Sequence, residues 1–462
     1  MMTSGWIVPL LIFVVVIVLM IIAISRWKIH PFLSIMGSAL LLALVMGIPL
    51  RSIAEVIGKG FATIFASIGL VIIVGTIIGL ILEKSGAAIK LAQTVLRLLG
   101  KKHPQLAIML IGWVLSIPVF CDSGFVIVNP IRKWMSRQSG VSSVTMTIAL
   151  AAGLYVAHVF IPPTPGPVAA AGLVGLGDNL ILVILVGIAL SIFPLAAAYI
   201  FANYAGKKIH SSDEMDEENV SGILEGKNLP SATLSLLPII IPILFMGIGS
   251  LVTVLKLEGV AADVLYFLGK PVIALVCGVL CCIPLLRFIP HKDGKTPITR
   301  LHHITENSLR TAGPIVFITA AGAMLGQVIY DAGFVELIKA NASFFTTLGI
   351  LFPFLIAAIL KTAQGSSTVA MTTTAGLMGL FSSSESLMSA LGMTTPLSAA
   401  LVVMAIGAGA MTVSHANDSY FWVVTRLGGL NVKDGYRTQT KCSFILGITS
   451  AAVLFVASLF LV

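Results

Sequence analysis

Residues 143–177 read SVTMTIALAAGLYVAHVFIPPTPGPVAAAGLVGLG. An uncharged run reaches Phe160, the segment Ile161-Pro-Pro-Thr-Pro-Gly-Pro167 interrupts it, and apolar sequence resumes as far as Gly177. Proline lacks a backbone N–H and its ring collides with the preceding turn, so no regular helix passes through that segment. The flanks are apolar enough for lipid, where each backbone polar group must find a partner. Non-helical backbone at membrane depth survives only when buried in protein or lining a cavity. The stretch therefore reads as a transmembrane helix broken near its middle, and it puts the chain among all-α polytopic membrane proteins.

Composition agrees. Of 462 residues, 57% are hydrophobic and 10% charged, with a mean hydropathy of +1.05. A soluble domain carries about 25% charged residues. The net charge of +9 does not point to a nucleic-acid partner, because the Lys and Arg residues sit in short loops between apolar runs, where they set topology. Met1 to Met20 has no positive n-region and Arg26 and Lys28 follow the apolar run, the pattern of a retained first helix in a multi-pass protein of the cell (inner) membrane. The five cysteines (Cys121, Cys277, Cys281, Cys282, Cys442) have no metal-ligand spacing and read as small buried residues. With no phosphate-binding loop, zinc spacing or Ser-His-Asp order either, the sequence reads as no enzyme, with no cofactor and no metal.

Three more interruptions break apolar stretches: Pro118 to Gly124, Lys361 to Thr368, and Ser414 to Ser419. The first lies in residues 105–131, whose two ends are both flanked by basic residues. Those ends share one side, so the segment reads as a re-entrant hairpin; residues 344–381 read as a second one. Residues 143–177 and 396–430 are the broken helices. Gly75, Gly79 and Gly86 superpose on Gly322, Gly326 and Gly333 at one constant offset, and His158, Gly172 and Leu173 on His415, Gly429 and Leu430 at another. The order of features is the same in residues 1–206 and 232–462. These read as two inverted repeats around a cytoplasmic linker, 207–231, with about ten transmembrane helices plus two hairpins.

Broken helices and hairpin tips from opposite sides would meet near the midplane, where half-helix N-termini offer N–H groups to an anion. A substrate site is expected from Asp122, Ser123 and Gly124 at the first tip, and from Lys361, Gln364, Gly365, Ser366, Ser367 and Thr368 at the second. Thr164, Asn417 and Ser419 in the broken helices complete it. Intramembrane ionisable residues are costly and usually functional, although Asp122 would also serve as a helix cap and Lys361 could snorkel to the interface. The matched histidines His158 and His415, with Asp122 and Asp418, are the expected proton-coupling groups. Asn417, Asp418 and Ser419 could instead hold a cation such as Na⁺.

Four stretches carry a family resemblance. Phe120-Cys-Asp-Ser-Gly-Phe-Val126, His158-Val-Phe-Ile-Pro-Pro-Thr-Pro-Gly-Pro167, Lys361-Thr-Ala-Gln-Gly-Ser-Ser-Thr-Val-Ala370 and Ser414-His-Ala-Asn-Asp-Ser419 resemble the gluconate permease (GntP) family of the ion transporter superfamily, over nearly the whole chain. The resemblance implies hairpin-and-broken-helix inverted repeats, a homodimer and an elevator motion. It further implies proton symport of a small anionic substrate, gluconate or a related sugar acid. The alternatives are D-serine or another small hydroxy or amino acid, or a sodium-coupled carboxylate. The sequence departs from the best-known gluconate carriers, which tend to carry Glu where Asp122 stands and a second His where Thr164 stands.

Overall fold

The computed structural model describes residues 7–99, 103–212, 229–289, 297–333, 348–384, 386–415 and 418–461. Every regular element among them is helical. Six stretches are long and apolar enough to cross a membrane, among them Ser143–Leu173, Leu180–Gly206 and Ile298–Ile329.

Four helices stand in two pairs, and the first helix of each pair is short. Pro104–Leu115 is followed after a short link by Cys121–Ser139, and Leu351–Gln364 by Ser367–Met378. A 12-residue helix such as Pro104–Leu115 is about 18 Å long, too short for a hydrocarbon core about 30 Å thick. Each pair therefore has to place its link inside the protein. The stretch at 143–177 resolves into Ser143–Phe160 and Pro165–Leu173, and the one at 396–430 into Pro396–Met411 and Ser419–Leu427.

Burial separates two classes of helix. Every residue of Ser143–Phe160 is buried, as is nearly all of Pro396–Met411 and Ser367–Met378. Leu180–Gly206 exposes Leu185, Ile192 and Ile200 along one face, the mark of a helix against lipid. The broken helices are thus the core, and their irregular backbone is shielded by protein, as an apolar solvent demands.

Glycine permits the closest approaches. A Cβ on Gly79, in helix Leu70–Lys84, would run into the carbonyl of Pro118, in the link of the first pair. One on Gly326, in helix Pro297–Asp331, would run into Gly376 of the second pair. These two helices so lay bare backbone against the paired helices.

Several helices extend beyond what hydropathy suggests. Leu50–Ile64 precedes the apolar run from Phe61, and Pro297–Asp331 begins well ahead of Pro314. The second helix of the first pair runs on to Ser139 and carries Arg132 inward. Read from charge alone, Arg132 belongs to a water-facing loop. It is instead fully buried, and its guanidinium donates to Asn129 Oδ1 at 2.7 Å, Ser143 Oγ at 2.6 Å, Thr147 Oγ1 at 2.9 Å and the Leu427 carbonyl at 3.2 Å.

Candidate functional site

Three of the four sequence interruptions open onto one cavity of about 300 Å³. The first pair contributes Phe120, Cys121 and Asp122, and the second contributes Gly365 to Thr368. The second broken helix contributes Asp418, Ser419 and Tyr420, while Tyr155 and His158 come from the last turns of Ser143–Phe160.

Each interruption starts a helix at the cavity: at Cys121, at Ser367 and at Ser419. A helix N-terminus carries about half a positive charge and unpaired N–H groups, so three of them favour an anion. Their caps differ. Ser366 Oγ accepts from Val369 N, and Asp418 Oδ1 accepts from Tyr420 N at 3.1 Å. Among the described residues, no side chain caps the helix that starts at Cys121.

Behind the cavity lies an ion pair. The Lys361 ammonium donates to Asp418 Oδ2 at 2.7 Å and to the Gly365 carbonyl at 2.5 Å, and the lysine is wholly buried rather than snorkelling outward. Ser414 Oγ donates to the same Asp418 oxygen at 2.6 Å. Gly365 makes the turn possible: at φ +88° it terminates the helix Leu351–Gln364, a conformation that favours glycine.

Asp122 stands differently. It takes a hydrogen bond from the Ser419 side chain, yet its Oδ1 is buried with no partner among the described residues. His158 Nδ1 is in the same position. Both residues line the cavity, and neither of these buried atoms has its hydrogen bond met by a described residue. Part of the lining is aromatic. Tyr155 and Tyr420 stand with ring centroids 5.1 Å apart, and their hydroxyls are spent on Ser367 Oγ at 2.9 Å and the Ala151 carbonyl at 2.9 Å.

Other expected residues fall outside the cavity. Thr164 is buried with its hydroxyl turned back on the Ile161 carbonyl at 2.6 Å. Ser123 is engaged by the side chain of Glu83, and Gly124 packs against Leu154. The matched histidines diverge: His415 Nε2 faces the Thr362 carbonyl at 2.9 Å, a contact that needs a protonated ring nitrogen, while His158 lines the cavity. Asn417 and the side chain of Gln364 lie outside the described residues.

The pattern of the GntP family permeases matches residues 8–460. The chain belongs to the GntP permease family. This permease is 34% identical over 439 residues to a protein of Haemophilus influenzae named an uncharacterized permease, covering 92% of this chain and 86% of that one. It is 28% identical to a Pseudomonas aeruginosa gluconate permease over 97% of each chain. Among solved structures, the Alcanivorax borkumensis YdaH transporter, described as having an unusual topology, superposes with a TM-score of 0.65 over 94% of this chain and 99% of that one. At 14% identity that likeness concerns the fold alone. The chain is accordingly a multi-pass membrane transporter and not an enzyme.

Sequence reasoning passed over Phe120, Tyr155, Tyr420 and the cavity-lining role of Cys121. One signal was within reach: Tyr155 lies three residues before His158, on the same face of a helix.

Proposed function

We propose that this permease is a secondary active transporter of the cell's inner membrane that imports gluconate or a related sugar acid by proton symport. The observation that carries the reading is the presence of two chemistries in the lining of one small cavity. The helix start at Ser366, Ser367 and Thr368 suits a carboxylate. The unpartnered Asp122 Oδ1 suits a substrate hydroxyl or a proton. The aromatic wall fits the C–H edges of a short polyol chain. The name of the Pseudomonas aeruginosa relative supports the substrate class.

Coupling to protons rests on Asp122 and His158, the two ionisable groups among the described residues with an unpartnered atom at the cavity. A sodium ion at Asp418 is disfavoured, because both carboxylate oxygens are engaged, by Lys361, Ser414 and the Tyr420 N–H. The two helix pairs and two broken helices are read as inverted repeats, and the working unit as a homodimer.

Proteoliposomes test the whole reading. Labelled gluconate should accumulate under an inside-alkaline pH gradient in sodium-free buffer and leak out when a protonophore is added. The Asp122→Asn variant should keep gluconate counterflow, since an amide oxygen still accepts a hydroxyl, and lose at least about tenfold of gradient-driven accumulation. Strict sodium dependence would remove the proton assignment. Displacement by D-serine but not by gluconate would remove the substrate.

A further inference from the structure

Lys361 is a puzzle if it is only a substrate ligand. Its ammonium does not line the cavity; it sits behind it, among oxygen atoms from two different interruptions. Gly365 supplies a backbone carbonyl at the C-terminal, electronegative end of helix Leu351–Gln364. Asp418 supplies a carboxylate oxygen that also takes the Ser414 hydroxyl. The face of Tyr155 lies 5.7 Å away, within range of a cation–π contact. A carbonyl at a helix end, a carboxylate and a nearby hydroxyl are hard oxygen donors, the set that broken transporter helices present to a monovalent cation.

We infer that the Lys361 ammonium is a tethered cation: it fills a monovalent-cation site between the second helix pair and the second broken helix, and truncating it uncovers that site for sodium, lithium or methylammonium. The inference rests on the reading of the adjoining cavity as the substrate site. Its physical basis is charge balance. The ammonium neutralises Asp418 directly behind the helix starts at Ser367 and Ser419, so an anion arriving there meets no net negative charge from that residue. A covalently attached charge cannot dissociate, which makes binding independent of external cations. A purely structural ion pair would show no such replaceability, since its loss is not repaired by a dissolved ion.

The test compares the parent with Lys361→Ala and with the double variant Lys361→Ala/Asp418→Asn, using gluconate binding in choline, sodium, lithium and methylammonium chloride. The parent should bind equally in all four. Lys361→Ala should lose about a hundredfold in affinity in choline, because Asp418 is left buried and unpaired. That loss should be repaired, saturably, by sodium, lithium or methylammonium. The double variant should show no cation dependence. Equal binding by Lys361→Ala in choline overturns the inference, and so does a folded Lys361→Ala that no cation restores. Thermal unfolding of the same proteins needs no substrate, so it decides the matter even if gluconate is the wrong acid or Lys361→Ala is unstable in choline. A rise of the midpoint with sodium over choline, present in Lys361→Ala and absent from the double variant, supports the site; equal midpoints overturn it.

Discussion

Thr368 offers the clearest view of how single side chains divide the work of the cavity. Its neighbours are already committed: Ser366 Oγ caps the helix start through Val369 N, and Ser367 Oγ is joined to the Tyr155 hydroxyl. Replacing Ser367 would therefore disturb the aromatic wall as well as any ligand. Thr368 is a half-buried residue that lines the cavity without such a tie among the described residues, so Thr368→Val removes a hydroxyl and keeps the shape. A hydrogen bond to a charged group contributes about 1.5–3 kcal/mol, so affinity for a sugar acid should fall about ten- to a hundredfold while the unfolding midpoint stays put. Calorimetry against the acid and its neutral amide measures this. Unchanged binding of the acid by Thr368→Val would move the carboxylate to another wall. The sequence made Thr368 visible, because hydroxyls beside a glycine break stand out in an apolar stretch. It could not make the pairing of Lys361 with Asp418 visible. The two are far apart in the chain, and a lysine next to an apolar run looks the same whether it snorkels or turns inward.

Helices show the same split between what an apolar pattern reveals and what it hides. Broken helices were legible because Pro-Pro-Thr-Pro-Gly-Pro and Ser-His-Ala-Asn-Asp-Ser contrast sharply with uncharged surroundings. Leu50–Ile64 and Ala87–Leu99 were not, since Arg51, Glu55 and Lys59, or Lys90 and Arg97, dilute the hydropathy of a helix that is apolar on one face only. The tyrosine wall was hidden for the opposite reason, as Tyr155 gives no polar contrast within a buried helix. Glycines were visible in sequence, but which of them bear on packing was not. Gly79 lies against the Pro118 backbone, which cannot swing aside as a flexible side-chain end could, whereas a Cβ on Gly37, inside Pro31–Val45, would meet nothing within 4 Å. Gly79→Ala should therefore destabilise the protein by about 1–3 kcal/mol, and Gly37→Ala should stabilise it by up to about 1 kcal/mol through helix propensity alone. Thermal unfolding in detergent reads both. Equal shifts for the two variants would mean that the Gly79 contact does not hold the first helix pair in place.

At the scale of the whole molecule, the hydrogen bonds sort the described residues into two ends. The run Ser143–Leu173 begins where Arg132 reaches both Ser143 and the Leu427 carbonyl, and where Gly206 packs on Thr145. Ser211 Oγ donates to the Gly428 carbonyl at 2.6 Å, and Ser212 N to the Gly429 carbonyl at 3.0 Å, so the start of the linker docks at this same end. The run finishes beside the opposite end, where Phe381 N donates to the Val174 carbonyl at 3.0 Å. Charge is distributed unequally between them. Lys207, Lys208, Arg426, Lys433 and Lys441 flank the first end, while the second has Lys59 and the Lys270–Asp178 ion pair, and its segment Ser382-Ser383-Ser384 carries no charge. Short basic segments stay in the cytoplasm, so the first end should be cytoplasmic and the second external. Single cysteines at Ser212 and Ser384, both exposed positions, provide the test in a background where the five native cysteines are replaced. An impermeant thiol reagent applied to whole cells should label Ser384→Cys and spare Ser212→Cys, and inside-out vesicles should reverse the pattern. Labelling of both from one face would break the link between charge and orientation, and with it the inverted arrangement of the two helix pairs.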